Sequence, residues 1–274
     1  MRIHEGILRS IVCVALRMAD GSFRFQGTAF WLGRKRKEGD GLLDPYYLVT
    51  AKHVIDQIRG TGVEHVWLRV NMRNGTNLGV HTKFEHWYSH PKDPTIDVSI
   101  AKLHAPETVD QIALDVDDIL TPEREEDMEV GLGDEVVTVG IFSHRPGDLR
   151  NIPIVRVGNL SARDKERVPT IAFGLMEAYL VECRSTGGLS GAPVFINLGH
   201  ARLIKGEVKH ASADMNALMG IMHGHYVAPG VPEIEHINVG IALVTPIQKV
   251  LEVIEAFERD RPNIQYVALA PQLV

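Results

Sequence analysis

Gly187-Gly188-Leu189-Ser190-Gly191-Ala192-Pro193-Val194 is a run of small residues around a single hydroxyl. Gly188 and Gly191 let the backbone turn tightly on either side of Ser190, so that amide N–H groups can converge on one point. Pro193 then sets the exit into an apolar strand. A serine hydroxyl is a weak nucleophile at neutral pH, so the loop has chemistry only if a base and donors for negative charge accompany it. A base candidate, His53, stands in Leu48-Val49-Thr50-Ala51-Lys52-His53-Val54, just past the end of a strand-like run. A carboxylate candidate, Asp97, directly precedes the alternating segment Val98-Ser99-Ile100-Ala101-Lys102-Leu103. In this reading Ser190 is the nucleophile, His53 the general base, Asp97 the group that orients it, and the N–H groups of Gly188 and Ser190 the oxyanion donors. Each signal is soft on its own: such a histidine is usually a core or loop residue, and such an aspartate usually a turn residue. The three contexts in the order His, Asp, Ser carry the weight together. Asp93 is a rival carboxylate, but the β pattern begins at Asp97.

The rest of the chain sets bounds. At 274 residues, 45% apolar and 23% charged, it has room for one large core or two small ones and an ordinary globular composition. A formal net charge of −6 leaves no basic footprint for nucleic acid, and Arg34-Lys35-Arg36-Lys37 reads as a solvated loop because Glu38 and Asp40 follow at once. No apolar run reaches the roughly 20 residues that span a bilayer. The segment Leu8–Leu16 reads as a first strand and not as an export signal, since Arg9 interrupts it and no small-residue cleavage site follows. With no such signal, the two cysteines, Cys13 and Cys183, are expected to stay reduced in a cytoplasmic protein. The 13 histidines are scattered, and His223-Gly224-His225 has neither helical zinc-site spacing nor a cysteine pair beside it, so neither a metal nor another cofactor is expected.

Short segments rich in Val, Ile, Leu and aromatics, separated by Gly, Pro, Asn and Asp, favour antiparallel β structure over βαβ units. Strands are predicted at Ser10–Arg17, Phe23–Leu32, Tyr46–Thr50, His65–Val70, Leu78–Phe84 and Val98–Lys102. A second set follows at Glu135–Ile141, Ile154–Leu160, Tyr179–Cys183, Val194–Ile196, Leu218–His225 and Gly240–Leu243. Several alternate apolar with polar residues, as expected of strands with one wet face. Between the sets, residues 104–128 read as an acidic, solvated crossing. Thr245 and Pro246 then open a helix whose stripe is Ile247, Val250, Leu251, Ile254 and Phe257. Two barrels with a cleft between them fit this count. A single sandwich fits the strands as well, but gives the serine loop no purpose.

The residues resemble the trypsin/chymotrypsin-like serine protease family, nearer its HtrA-like and viral-like branches than its digestive enzymes. Thr50-Ala51-Lys52-His53-Val54 is similar to the family's base motif, Asp97–Leu103 to the segment opened by the orienting aspartate, and Gly188–Pro193 to the nucleophile loop. Gly27-Thr28-Ala29-Phe30, Val157-Gly158-Asn159-Leu160-Ser161 and Gly240–Pro246 resemble three further family segments, so the likeness spans about residues 10–258. The resemblance implies an all-β fold of two antiparallel six-stranded β-barrels with a C-terminal helix. It divides the chain into residues 1–115 with His53 and Asp97, residues 116–258 with Ser190 and the helix, and a tail at 259–274, with no peptide-binding second module. The implied function is endopeptidase action through an acyl-enzyme, on a protein or peptide substrate, with an activating protein partner as an option and with neither nucleic acid nor membrane as a partner.

Leu189 departs from the family, standing where relatives carry aspartate or asparagine. An apolar side chain there cannot bind a freshly cut N-terminus. It either packs beneath the loop or signals an oxyanion hole completed only on binding. The resemblance places the substrate pocket at Arg184, Thr186, Gly187, Ile221, Met222 and His223. Arg184 and His223 suggest a preference for an acidic residue or its amide, against an apolar lining suggested by Cys183 and Met222. Residues 197–217 and 226–237 read as insertions. The rival function is a catalytically silent binding protein or scaffold on the same fold. An esterase is disfavoured because the chain lacks a Gly-x-Ser-x-Gly elbow and its histidine precedes its serine.

Overall fold

The computed structural model describes residues 3–33, 46–163, 166–210, 216–227, 240–264 and 266–269. Arg34–Lys37, most of the insertion at 226–237, part of that at 197–217 and the last five residues of the tail lie outside the described residues.

The chain opens with a short helix, α1 (Glu5–Arg9), in place of the strand expected from Leu8. The His4 ring accepts from the Gly6 N–H at its start, and the N–H of Ser10 closes it on the Gly6 and Ile7 carbonyls. The first sheet comprises β1 (Ile11–Arg17), β2 (Phe23–Gly33), β3 (Tyr47–Thr50), β4 (His65–Asn71), β5 (Asn77–Lys83), β6 (Trp87–Ser89), β7 (Ser99–His104) and the two-residue β8 (Leu114–Asp115). Helix α2 (Lys52–Gly60) follows β3. Antiparallel pairing runs β7-β3-β2-β1-β4-β5. This sheet is an open half-barrel, where a closed barrel was expected. The free edge of β7 is taken by β6 and by a parallel tail strand, Val267–Ala268, which leaves β5 nothing to close against.

The crossing at 104–128 is more ordered than a solvated linker. Helix α3 (Pro122–Asp127) is capped by the Thr121 side chain, which accepts from the Arg124 N–H, and Pro122 occupies its first turn. Just before it, Ile119 and Leu120 are buried, and the Leu120 N–H reaches the Leu218 carbonyl. Ala105, Val109 and Ala113 of this segment are buried as well, and Asp110 pairs with Arg9 and Arg150, so the crossing is docked along its length.

The second half supplies β9 (Glu135–Ile141), β10 (Pro153–Ala162), the hairpin β11 (Val168–Thr170) and β12 (Gly174–Met176), β13 (Tyr179–Glu182), β14 (Pro193–Asn197), the hairpin β15 (Ala201–Ile204) and β16 (Glu207–His210), β17 (Asn216–His225) and β18 (Ile241–Pro246). Six of them close into a barrel in the order β10-β13-β18-β17-β14-β9. Helix α4 (Ile247–Asp260) then buries Ile247, Val250, Val253, Ile254 and Phe257. Its cap is Pro246 and not Thr245, which still belongs to β18. The Val267–Ala268 strand is β19.

Side chains alternate across the strands and so divide the core. Val12, Val14, Ala29, Trp31, Leu48, Ala101 and Leu103 fill the inside of the first sheet. Their neighbours Ile11, Cys13, Phe30, Leu32, Val49 and Ile100 pack with α4 and with Val137, Val139, Ile141, Phe195 and Ile221 of the barrel. The central strands of the first sheet are therefore dry on both faces, unlike the one-wet-face strands expected. The interior of the barrel is a third cluster that includes Leu189, Ala192, Val194 and Met222. Cys13 and Cys183 are both free and buried, and burial raises the pKa of each thiol.

Candidate active site

β3 ends at Thr50, and the chain turns through Ala51 directly into α2, so His53 lies in the first turn of a helix. Backbone N–H groups there have no partner within the helix. The His53 N–H donates to Asp97 Oδ1 at 2.8 Å, and its ring Nδ1 meets Asp97 Oδ2 at 2.7 Å. One carboxylate thus fixes both the backbone and the ring of the histidine. Asp97 is wholly buried. Burial pushes its carboxyl up, but the charge of His53 and hydrogen bonds from His223 and His53 outweigh that and hold it below the usual carboxylate range. Because Asp97 is ionised it can only accept, so in a neutral His53 ring the proton sits on Nδ1 and the lone pair on Nε2. Asp93 serves elsewhere, its Oδ1 accepting from the N–H and hydroxyl of Thr95.

The nucleophile loop is held by both sheets. Gly188 has φ +95° and Gly191 has φ +83°. A side chain at Gly191 would also run into the Thr28 carbonyl and the Thr50 hydroxyl, so only glycine fits there. The carbonyl of Gly187 accepts from both the N–H and the Oγ of Ser143, each at 3.0 Å. The next carbonyl, of Gly188, accepts from Thr28 Oγ1 at 2.6 Å. Thr28 Oγ1 also accepts from the Ile141 N–H at 2.9 Å, and the Thr28 N–H donates to the Ser190 carbonyl at 2.8 Å. In a trans peptide, a carbonyl pinned on one side turns the following N–H to the other. Among the described residues, the N–H groups of Gly188 and Ser190 donate to no protein acceptor. Leu189 is fully buried in the barrel core and packs beneath the loop.

The expected residues do not all converge. The Ser190 Oγ donates to the His223 carbonyl at 3.1 Å, and no hydrogen bond joins it to His53 among the described residues. His223 turns its ring to Asp97. Its Nδ1 lies 2.5 Å from Asp97 Oδ2, on the oxygen that His53 also uses. Arg184 is exposed, not at the base of a pocket, and its carbonyl accepts from Arg156. Ile221 and Met222 are spent on the core, while Thr186 is half-buried and Gly187 exposed.

Three neighbours were not singled out from the sequence: Thr28, Ser143 and Phe173. Thr28 lies in the quoted Gly27–Phe30 segment, so a signal existed, though not for its hydroxyl. Phe173, at the turn of the β11–β12 hairpin, meets the His223 ring edge-on at 5.3 Å and the His53 ring at 6.5 Å, with the Lys52 ammonium 5.6 Å from its own centre. Nothing in its local sequence marks that place.

No family model and no curated protein matches the chain. Solved structures do. The apo protease domain of MamO from Magnetospirillum magneticum is 13% identical, with a TM-score of 0.55 over 91% of this chain and 97% of that one. Deg5 is 15% identical, with a TM-score of 0.51 over 92% of this chain and 90% of its own. At this identity the likeness is one of fold.

Proposed function

We propose that this chain, which has the trypsin-like serine protease fold, is a serine endopeptidase. The observation that carries the reading is the pairing of Asp97 with both the backbone and the ring of His53, beside a serine loop with two unengaged N–H groups. In the reaction, the Ser190 hydroxyl leaves the His223 carbonyl by rotation about its Cα–Cβ bond and turns toward His53 Nε2. His53 takes its proton as the oxygen attacks the scissile carbonyl, and the N–H groups of Gly188 and Ser190 hold the oxyanion. The imidazolium, stabilised by buried Asp97, then gives that proton to the leaving amine. Water repeats the sequence on the acyl-enzyme.

A silent binding role on the same fold is favoured by one observation, the Ser190 hydroxyl resting on a carbonyl and not on the base. A fluorophosphonate probe separates the two, because it reacts only with an activated serine. Labelling of the wild type, absent from Ser190→Ala and His53→Ala, supports the peptidase. The same variants should lower peptide turnover by about 10⁶-fold. A wild type that stays unlabelled, or a Ser190→Ala protein that keeps its turnover, refutes it.

A further inference from the structure

Asp97, the buried carboxylate of the site, serves two imidazoles and not one. His53 Nδ1 lies 2.7 Å and His223 Nδ1 2.5 Å from the same oxygen, Oδ2. The catalytic reading gives the His53 ring the work of the base and the His223 ring no step of its own. The three residues offer ligand atoms that all lie within 4.8 Å of one another. Two neutral imidazoles and one carboxylate form a three-ligand set of the kind that holds zinc with a fourth position left open. His53 and His223 arrive from α2 and β17, 44 and 126 residues from Asp97, which is why no spacing motif announces the set.

We infer that His53, Asp97 and His223 form a binding site for a divalent ion of the zinc class. Two ligand atoms on a tetrahedral zinc stand about 3.3 Å apart, so each contact to Oδ2 must open by less than about 1 Å. The side chains of His53 and His223 are 18% and 13% exposed beside a fully buried Asp97, and a small ring rotation supplies that movement. The proton balance is simple. Each ring loses the proton on Nδ1 and gains one on Nε2 through solvent, so two neutral rings release none, and their Nδ1 lone pairs join Oδ2 on the metal. The consequence for catalysis, unlike the site itself, rests on the peptidase reading. A His53 with Nε2–H has no lone pair for the proton of Ser190, so the bound metal switches the base off without covering the serine.

The test begins with equilibrium dialysis of zinc against the full-length protein stripped with chelator. One zinc per chain is expected in the wild type and in Ser190→Ala. Replacing a ligand should cost more than the 10–100-fold typical of groups behind the ligands, so His223→Ala and His53→Ala should each weaken binding by more than about 100-fold. His225→Ala, two residues along β17, should not. Thermal melts confirm that each variant folds, and cobalt loaded in place of zinc should give the strong visible absorption of a tetrahedral site only where His53 and His223 are both present. Wild-type affinity in His223→Ala, loss in His225→Ala alone, or no zinc bound by the wild type overturns the site. Zinc should also slow fluorophosphonate labelling of the wild type, with recovery on adding chelator; bound zinc that leaves the labelling rate unchanged overturns its inhibitory role. Failure of the peptidase reading shows separately, as absent labelling in metal-free wild type.

Discussion

Replacing Thr28 with valine keeps the shape of a buried side chain and removes one hydroxyl. That hydroxyl donates to the Gly188 carbonyl at 2.6 Å and accepts from the Ile141 N–H at 2.9 Å. Both partners lie in a region closed to water, so Thr28→Val leaves one buried acceptor and one buried donor unmet. Each such group costs about 1–3 kcal/mol, offset in part because the variant no longer has to desolvate a hydroxyl. The net loss is then about 2–4 kcal/mol, or about 4–16 °C in melting temperature for a chain of this size. Thr28→Ser keeps both bonds and gives up one methyl, for about 1 kcal/mol. The same bonds pin the loop that carries the N–H groups of Gly188 and Ser190, so fluorophosphonate labelling should slow by about 10–100-fold in the valine variant and little in the serine variant. Urea unfolding and labelling rates measured side by side decide it. A valine variant as stable and reactive as the wild type, or a serine variant as impaired as the valine one, would show that the hydroxyl does not hold the loop.

Leu189→Ala should cost about 2–5 kcal/mol in urea unfolding, because Leu189 is fully buried in the barrel core; a loss under about 1 kcal/mol would mean that the loop is not anchored there. Ser143→Ala removes one of two donors to the Gly187 carbonyl. It should lower kcat by about threefold to tenfold with KM unchanged, and a change confined to KM would place Ser143 in substrate binding. Asp97 titrates below its ordinary value in the folded chain. Its contribution to stability is therefore complete above the unfolded value near about 3.9 and is lost as pH falls through the folded value. In chelator, Asp97→Asn should show a flatter stability profile below about pH 4 than the wild type; parallel profiles would remove Asp97 from the acid limb.

Strand positions were legible because apolar runs of the right length occur where strands occur: Glu135–Ile141 matches to the residue, and the other expected strands differ by one to three residues at an end. The two short hairpins were not. Glu207–His210 is exposed throughout, and neither it nor its partner carries an apolar alternation to betray it. Closure was also out of reach. Whether β5 meets β7 depends on what covers the far edge of β7, and part of that cover comes from Val267 and Ala268, more than 160 residues away. The local contexts of His53 and Ser190 were readable because each sits at the end of a strand with its own turn chemistry. The partner that Asp97 found in His223 was not. A histidine on β17 looks the same in sequence whether its ring faces a substrate pocket or a buried carboxylate.

Leu189 and the two pinned carbonyls together limit where this site can be regulated. An oxyanion hole collapses when the peptide ahead of its first donor turns over and puts a carbonyl where the N–H should be. Here that carbonyl, on Gly187, is held twice by Ser143, and the next, on Gly188, by Thr28. Leu189 packs the same turn into the barrel core. The Thr28 carbonyl also accepts from Thr50 Oγ1, at the end of the strand that leads to His53. Turning the loop over would therefore break bonds on both sides of the cleft. The bond that can change at little cost is the one from the Ser190 hydroxyl to the His223 carbonyl. If the chain is the peptidase proposed above, control of the site would fall on the direction of the serine hydroxyl sooner than on the loop that carries the N–H groups of Gly188 and Ser190.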